Sequence, residues 1–312
     1  MEIAAEEAGL IGPLLLARST VDRSALLRGD TEWLARAWAD PSTRVLVVDD
    51  ARALVRRGAA GAELVLLPPD RAPEGERYLL GVDDAGVAYF AVAAPLPDPA
   101  GLPGRPDAEP ANLRQAGAQL DDRDAGLLVY AVALEAWHST HTHCPRCGTE
   151  TLVTAGGHMR LCPRDESQHF PRVDPAVIML VHDGADRCLL ARNPSWPERR
   201  FSVLAGFVEP GESLEGAVRR EVAEEVGIDV TDTRYLGSQP WPFPRSLMLG
   251  FFARAVSYDI RMDAEEIAEA RWLTREELAL AATTGEIMLP SEVSIARRLI
   301  ETWYGGPLPG SW

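Results

Sequence analysis

Three glutamates, Glu221, Glu224 and Glu225, stand at positions i, i+3 and i+4 of one stretch, so that in a helix their carboxylates share a face. The stretch Ser213–Val226 favours such a helix, because its first residue can accept a capping hydrogen bond and Gly227 can end it. Neighbouring carboxylates repel one another by roughly a few tenths of a kcal/mol per pair, which divalent cations would offset. The pattern predicts a site for Mg²⁺ or Mn²⁺. A solvated acidic face is the alternative, and for three glutamates alone it is the commoner case.

A second group of metal-binding side chains has the spacing of a zinc ribbon. Its cysteines are Cys144, Cys147 and Cys162. Two residues separate the first two and fourteen separate the second from the third, so a fourth ligand is expected at position 165, which is an aspartate. Three interpretations remain open: Asp165 completes the site through a carboxylate oxygen, His169 or His158 replaces it, or the site holds no metal. A zinc ion here would be structural, because a small ribbon has little core of its own.

The histidines that precede this group and the remaining cysteine are expected to lie outside the zinc site, with an occasional ligand role of the histidines as the alternative. Those histidines are His138, His141 and His143, and we expect them at the surface. Cys188 alternates with strand residues, which predicts a small buried apolar side chain.

The elements that must position these groups divide into an N-terminal α/β domain, a cysteine-bearing segment and a C-terminal mixed α/β domain. Apolar runs between turn residues predict strands near residues 44–50, 63–67, 78–93, 176–181, 187–191, 201–205, 247–255 and 270–273. Helices are predicted near residues 24–39, 112–137, 213–226 and 291–303. Six prolines between residues 95 and 110 indicate a surface connection. The predicted parts are residues 1–110 including this connection, 111–140 as a connecting helix, 141–172 as the ribbon, and 173–312.

The composition limits the chemistry further. The chain has 312 residues, 46% of them hydrophobic and 25% charged, which is typical of a globular protein with a sizeable core. Its formal net charge of −16 disfavours general coating of nucleic acid. All of its positive residues are arginines, which excludes a lysine-dependent phosphate loop, a Schiff base and a lysine general base. No apolar run is long enough to span a membrane, the N-terminus is acidic, and the cysteines are clustered, so we expect a cytoplasmic protein with no membrane partner.

The residues around the three glutamates resemble the signature of Nudix hydrolases at every fixed position. Gly206 is followed after five residues by Glu212, and after seven more by the run REVAEEVGI, which begins at Arg220. The resemblance implies a loop–helix–loop that holds divalent metals against a diphosphate linkage, where the ions offset charge and lower the pKa of a bound water. The ligands and catalytic groups that it implies are Glu221 and Glu225, the supporting Glu224, and the backbone carbonyl of Ala205.

The segment Gln239–Ser246 resembles the NADH pyrophosphatase branch of the Nudix hydrolases. Together with Ser238 it reads SQPWPFPRS, in which three prolines alternate with two aromatic residues. The substrate-binding residues implied in it are Gln239, Pro240, Trp241, Pro242, Phe243, Pro244, Arg245 and Ser246. Further residues implied by the branch are Glu266 as an additional metal ligand and catalytic residue, Phe170 and Phe207 as ring-stacking residues, and Ala296 as a substrate contact. The alternative is core packing for the two phenylalanines and an ordinary exposed side chain for the glutamate.

The branch implies an α/β (α+β) fold with an N-terminal α/β domain, a zinc ribbon and a Nudix α/β/α sandwich, although no motif of the N-terminal domain carries the resemblance. Members of the branch usually have a cysteine at the position of Asp165, so this chain departs from the pattern there. The implied reaction is hydrolysis of NADH or NAD⁺ to AMP and nicotinamide mononucleotide, and it depends on two or more Mg²⁺ or Mn²⁺ ions. The branch also implies a homodimer with one structural Zn²⁺ in each subunit. Removal of NAD caps from RNA 5′ ends would break the same bond. The alternative is a zinc-ribbon regulatory protein whose Nudix domain senses a nucleotide without turning it over.

Overall fold

The computed structural model of the protein describes residues 11–59, 61–102, 104 and 107–309. The acidic N-terminus, residues 1–10, and two prolines of the connection, Pro103 and Pro106, lie outside the described residues. The described part forms two compact units. The N-terminal unit comprises residues 16–173 and 242–245, and the C-terminal unit comprises residues 11–15, 174–241 and 246–309.

The N-terminal unit contains two sheets and one long helix. In the first sheet the order is β4-β1-β6-β5, with β1 and β6 parallel, and the strands are Arg44–Val48 (β1), Leu66–Leu67 (β4), Glu76–Val82 (β5) and Ala88–Ala93 (β6). In the second sheet the order is β3-β2-β7, and the strands are Arg52–Gly58 (β2), Gly61–Leu64 (β3) and Glu109–Asn112 (β7). The α-helices are Thr31–Ala39, Leu113–Ala116 and Asp122–Thr140.

The single helix predicted near residues 112–137 is in fact two helices. Asn112 begins the short one with a capping box that includes Gln115. The chain then turns, and Asp121 accepts a hydrogen bond from the backbone amide of Asp124 at the start of the helix Asp122–Thr140. Two separate capping residues explain the break, because each satisfies the free backbone amides of its own helix start.

The cysteine-bearing segment forms a small antiparallel sheet within the N-terminal unit. Its order is β10-β9-β8, and its strands are Leu152–Thr154 (β8), Met159–Leu161 (β9) and Gln168–His169 (β10). Two tight turns carry the cysteines. The one before β8 is closed by a hydrogen bond from Gly148 N to Cys144 O (2.9 Å), and the one between β9 and β10 by a hydrogen bond from Glu166 N to Cys162 O (3.0 Å). The turns place the cysteines where a zinc ribbon requires them.

A mixed six-stranded sheet forms the centre of the C-terminal unit. Its order is β14-β15-β11-β12-β16, with β13 paired to β11, and β11 and β15 run parallel. The strands are Asp174–His182 (β11), Arg187–Arg192 (β12), Leu204–Phe207 (β13), Val230–Trp241 (β14), Ser246–Ala255 (β15) and Glu269–Thr274 (β16). The helices are Leu214–Val226, Arg275–Thr284 and Ile295–Tyr304.

Helices cover both faces of this sheet. Successive side chains of β11 alternate between the two faces, as the pleat of a strand requires. Val177 and Met179 pack in one apolar cluster with the helix Leu214–Val226, whereas Ile178 and Leu180 pack in another with the two C-terminal helices. The predicted α/β/α sandwich is therefore confirmed.

Two elements of the C-terminal unit were not predicted from the sequence. The first is β14, which contains Pro240 and pairs only with β15 in the described sheet, so the proline lies on an edge strand where a missing amide is tolerated. The second is the helix Arg275–Thr284, which begins with a capping box between Thr274 and Glu277. Among the described residues, no helix is long and apolar enough to cross a membrane.

Candidate metal-dependent active site and zinc centre

The predicted glutamate helix exists, and its apolar face holds it against the sheet. It runs from Leu214 to Val226, Ser213 Oγ accepts a hydrogen bond from Gly216 N (3.1 Å), and Gly227 ends it with a φ of 67°. The side chains of Glu221 and Glu225 are buried together with the apolar residues of the helix. Two carboxylates thus face the interior, which excludes a wholly solvated acidic face.

A glycine of the neighbouring strand makes room for one of these carboxylates. Gly206 lies in β13 and pairs with Val177. A Cβ atom added at Gly206 would overlap the carboxyl group of Glu221. Only glycine therefore lets the strand approach the helix as closely as it does.

Arg220 neutralises one side of the cluster. Its guanidinium donates hydrogen bonds to Glu212 (2.9 and 2.8 Å), to Glu221 Oε1 (2.8 Å), to Glu224 Oε2 (2.9 Å) and to the backbone carbonyl of Phe207 (2.9 Å). These carboxylates raise the pKa of Arg220, and hydrogen bonding to the Arg220 guanidinium lowers the pKa of Glu212. The arginine fixes the rotamer of Glu221 and ties the loop before the helix to the helix itself.

Glu225 has no such partner. Its Oε2 atom is buried and has no hydrogen-bond partner among the described residues. Burial, followed by the charges of Glu221, Glu266 and Glu224, raises the pKa of Glu225 to about 8. Burial also raises the pKa of Glu221, even though Arg220 opposes the shift. A divalent cation prefers oxygen ligands. It would fit beside this buried carboxylate oxygen, which lies next to further carboxylates.

A cavity of about 290 Å³ brings three of the predicted groups together. Ala205, Glu225 and Glu266 all line it, and Glu266 is exposed. Asn193 and Trp196 are among the further residues that line the same cavity, and neither was predicted as a site residue. Their only sequence signal was the turn composition of NPSWP, which does not reveal that the turn faces the glutamates.

The predicted substrate segment forms part of a hairpin. Its arms belong to β14 and β15, while the turn 242–245 belongs to the N-terminal unit, where Arg114 lies 4.0 Å from the ring centroid of Phe243. Gln239 is buried, and its Nε2 donates a hydrogen bond to Val293 O (2.9 Å). Ala296 is buried as well.

The two phenylalanines predicted to stack on substrate rings are both exposed, Phe170 to 62% and Phe207 to 60%. The alternative of core packing is therefore wrong for both. Contact with substrate stays a prediction for both phenylalanines, for Gln239, for Ala296 and for the hairpin.

The zinc ribbon places four potential ligands together. One ligand atom from each of these residues lies within 4.8 Å of the others: Cys144, Cys147, Cys162 and Asp165. Such a set of three thiols and a carboxylate can surround a tetrahedral ion. Ser167 orients the carboxylate, because its Oγ and backbone N lie 2.5 and 3.1 Å from Asp165 Oδ1. His169 Nε2 lies 3.1 Å from the same Oγ, outside the cluster.

The remaining histidines of this region are structural. His158 Nε2 donates to Leu79 O (2.7 Å), so it is engaged away from the cysteines. His138 was expected at the surface, and this expectation is wrong: the side chain is buried at the end of its helix and stacks on Tyr78. Its Nε2 donates to Gly157 O (2.8 Å) and its Nδ1 accepts from Arg160 (2.9 Å).

The predictions for the other two histidines that precede the cysteines, and for Cys188, agree with the structure. His143 is exposed and His141 is partly exposed. Cys188 is fully buried, as expected of a small apolar side chain in a strand.

Comparison with known proteins agrees with this architecture. The model of the NUDIX domain matches residues 172–290, that of the NADH pyrophosphatase zinc ribbon domain matches 139–170, and that of the NADH pyrophosphatase-like rudimentary NUDIX domain matches 42–137. The α/β/α sandwich with its glutamate helix is thus the catalytic domain of a Nudix hydrolase.

Two curated relatives indicate to which branch of the Nudix hydrolases the chain belongs. A protein of Mycobacterium bovis named NAD-capped RNA hydrolase NudC is 44% identical over 93% of this chain and 94% of its own length. A human protein named NAD-capped RNA hydrolase NUDT12 is 43% identical over 59% of this chain and 43% of its own. A solved NUDIX hydrolase from Nitrosomonas europaea covers 54% of this chain and 95% of its own, with 23% identity and a TM-score of 0.42. The chain belongs to the NADH pyrophosphatase family of Nudix hydrolases, which carries the zinc ribbon.

Proposed function

We propose that this enzyme hydrolyses the pyrophosphate bond of NADH and NAD⁺, releasing AMP and nicotinamide mononucleotide. The observation that carries the proposal is the orphaned Oε2 of Glu225 in a cavity shared with Ala205 and Glu266. The family and the names of the relatives support the choice of substrate. The removal of NAD caps from RNA 5′ ends follows from the same chemistry, because the bond broken is the same.

The residues fit bound Mg²⁺ or Mn²⁺. Glu221, Glu225, Glu266 and the carbonyl of Ala205 would hold the ions, and Glu224 would support them. When bound, such ions offset the charge of the pyrophosphate and lower the pKa of an attached water. Without a cation, the carboxyl of Glu225 keeps a proton up to a pH of about 8, and this proton leaves when the carboxylate takes up an ion.

Arg220 is proposed as a positioning residue for this site. It donates hydrogen bonds to one oxygen of Glu221 and to Phe207 O, which belongs to the same strand as Gly206. Its hydrogen bonds to three carboxylates leave little of its charge for a substrate phosphate. The charge that a pyrophosphate requires must therefore come from elsewhere in the site.

We further propose that Asp165 is the fourth ligand of a structural zinc ion, beside Cys144, Cys147 and Cys162. The proximity of the four ligand atoms and the two hydrogen bonds from Ser167 support this choice. The thiols must be reduced to bind zinc, which supports a cytoplasmic location. The homodimer expected of the family also remains a proposal.

The decisive experiment is incubation of the protein with NADH and Mg²⁺ or Mn²⁺, with chromatographic detection of AMP. The variant Glu225→Gln should lower kcat by about a thousandfold or more, because removing a metal-binding carboxylate removes several kcal/mol of transition-state stabilisation. The matched control is Glu215→Gln, an exposed glutamate at the start of the same helix, which should leave kcat unchanged. If the folded, metal-supplied protein forms no AMP, the regulatory alternative is correct.

A further inference from the structure

Hydrogen bonds attach the turn that carries Trp196 to the backbone of the active site. Asn193 Oδ1 accepts hydrogen bonds from the backbone N and Oγ of Ser195 (2.9 and 2.7 Å), and Trp196 N donates to Asn193 O (3.0 Å). Asn193 Nδ2 donates to the backbone carbonyl of Glu266 (3.2 Å). The indole is therefore presented from a preorganised turn whose other contact is the backbone of a candidate metal ligand.

Arg200 lies directly beside this indole. Its guanidinium carbon is 4.8 Å from the ring centroid of Trp196, and its backbone N donates to Pro197 O (2.9 Å). The side chain is exposed, and no ion pair among the described residues involves it. By contrast, Arg192 and Arg271, which lie on the two strands beside this turn, each pair with Glu269.

Arg200, whose charge no described acidic residue pairs with, can attract a negatively charged substrate. The chain has a formal net charge of −16, so its overall field repels a polyanion. The free dinucleotide has phosphates only in its pyrophosphate, which must lie at the carboxylate cluster. A capped RNA has an additional phosphate and an additional base immediately beyond the adenosine. An arginine for the phosphate and a tryptophan for the base are the combination that binds single-stranded nucleic acid.

We propose that Trp196 and Arg200 bind the nucleotide that follows an NAD cap, with the indole stacked on its base and the guanidinium bound to its phosphate. This step distinguishes capped RNA from free NAD⁺ or NADH, which lack that nucleotide. The proposal rests on the proposed pyrophosphate hydrolysis, and it adds two substrate-contacting residues outside the metal site.

The test compares kcat/KM for free NAD⁺ and for a short NAD-capped oligoribonucleotide over a range of salt concentrations. Arg200→Gln should lower kcat/KM for the capped RNA by about tenfold at low salt and change that for NAD⁺ less than about twofold. The slope of log kcat/KM against log salt for the RNA should become shallower by about 0.7, the value for one phosphate contact on a single strand. Arg234→Gln, at an exposed arginine of β14 that does not line the cavity, is the matched control and should leave both substrates unaffected.

A second variant tests the stacking contact. Trp196→Leu should lower kcat/KM for the capped RNA by about tenfold, and Trp196→Phe should restore most of it, because a smaller aromatic face still stacks. Equal losses on NAD⁺ and on the capped RNA would overturn the proposal, because the indole would then bind the dinucleotide itself. An unchanged salt slope in Arg200→Gln would overturn the phosphate contact.

Failure of the underlying function gives a different result. If the unaltered protein does not hydrolyse NAD⁺, the proposed function is wrong. Fluorescence anisotropy with the labelled capped oligonucleotide then measures binding alone. Weaker binding by Arg200→Gln than by Arg234→Gln would still support the RNA contact, and equal binding would overturn it.

Discussion

The buried carboxyl of Glu225 should make the stability of the protein depend on pH when no divalent cation is bound to the glutamate helix. Its pKa is raised from 4.5 to about 8 in the folded protein, mainly by burial. A folded-state pKa above the unfolded one means that the folded state binds the proton more tightly, so stability falls as pH rises from about 4.5 to about 8. Between pH 6 and pH 9 this single group should cost about 3 kcal/mol of the free energy of unfolding.

The variant Glu225→Gln isolates this contribution, because glutamine has the shape of the protonated acid and does not titrate. Urea unfolding at pH 6 and pH 9 should be measured on both proteins after dialysis free of Mg²⁺ and Mn²⁺, with zinc left bound. We expect the unaltered protein to lose about 3 kcal/mol more than the variant between the two pH values. Addition of Mn²⁺ at pH 9 should restore stability to the unaltered protein and not to the variant.

Two results would refute this account of Glu225. If the two proteins lose stability in parallel between pH 6 and pH 9, Glu225 does not carry a proton in the folded state at neutral pH. Stabilisation of both proteins by the same amount with Mn²⁺ would show that the ion binds away from this carboxylate. Glu215→Gln, which removes an exposed acid of the same helix, should behave like the unaltered protein.

Two further substitutions test the site and the ribbon. Gly206→Ala should lower kcat by about a hundredfold or more and weaken activation by Mn²⁺, since the new methyl group displaces the carboxyl of Glu221; near-normal kinetics would show that the strand can retreat without cost to the site. Asp165→Ala should lower zinc affinity in a chelator competition and reduce thermal stability, whereas Asp165→Cys should raise the affinity. Unchanged zinc content and affinity in Asp165→Ala would assign the fourth ligand to another residue.

The parts of the site that depend on local sequence could be predicted. The glutamate helix carries its own signals, because Ser213 caps it, Gly227 ends it and its apolar residues recur with a helical period. The cysteine spacing likewise indicates two tight turns, and each of them is closed by a hydrogen bond between residues close together in the sequence. In both cases the chemistry and the geometry that supports it lie within a short stretch of chain.

The parts that depend on tertiary packing could not be predicted. β14, which contains Pro240, was not predicted, and it forms because its partner β15 supplies the other side of an edge ladder. His138 looked like a polar residue near a cluster of similar ones, and only the fold reveals that Gly157 O and Arg160 satisfy its ring in the interior. The position of Trp196 beside Glu266 is of the same kind, because these two residues are 70 positions apart in the chain and line one cavity.

The electrostatics of the site favour a requirement for metal over direct use of arginine. The nearest cation of the glutamate helix, Arg220, already binds Glu212, Glu221 and Glu224, so its charge is more than matched. Among the described residues Glu225 has no cationic partner, and burial together with the charges of the neighbouring carboxylates raises its pKa. A pyrophosphate would add more negative charge to the same place, and the chain has no lysine that could reach in to offset it. Cations that bind the carboxylates and the pyrophosphate together solve both problems, because they remove the repulsion within the protein and between the protein and its substrate.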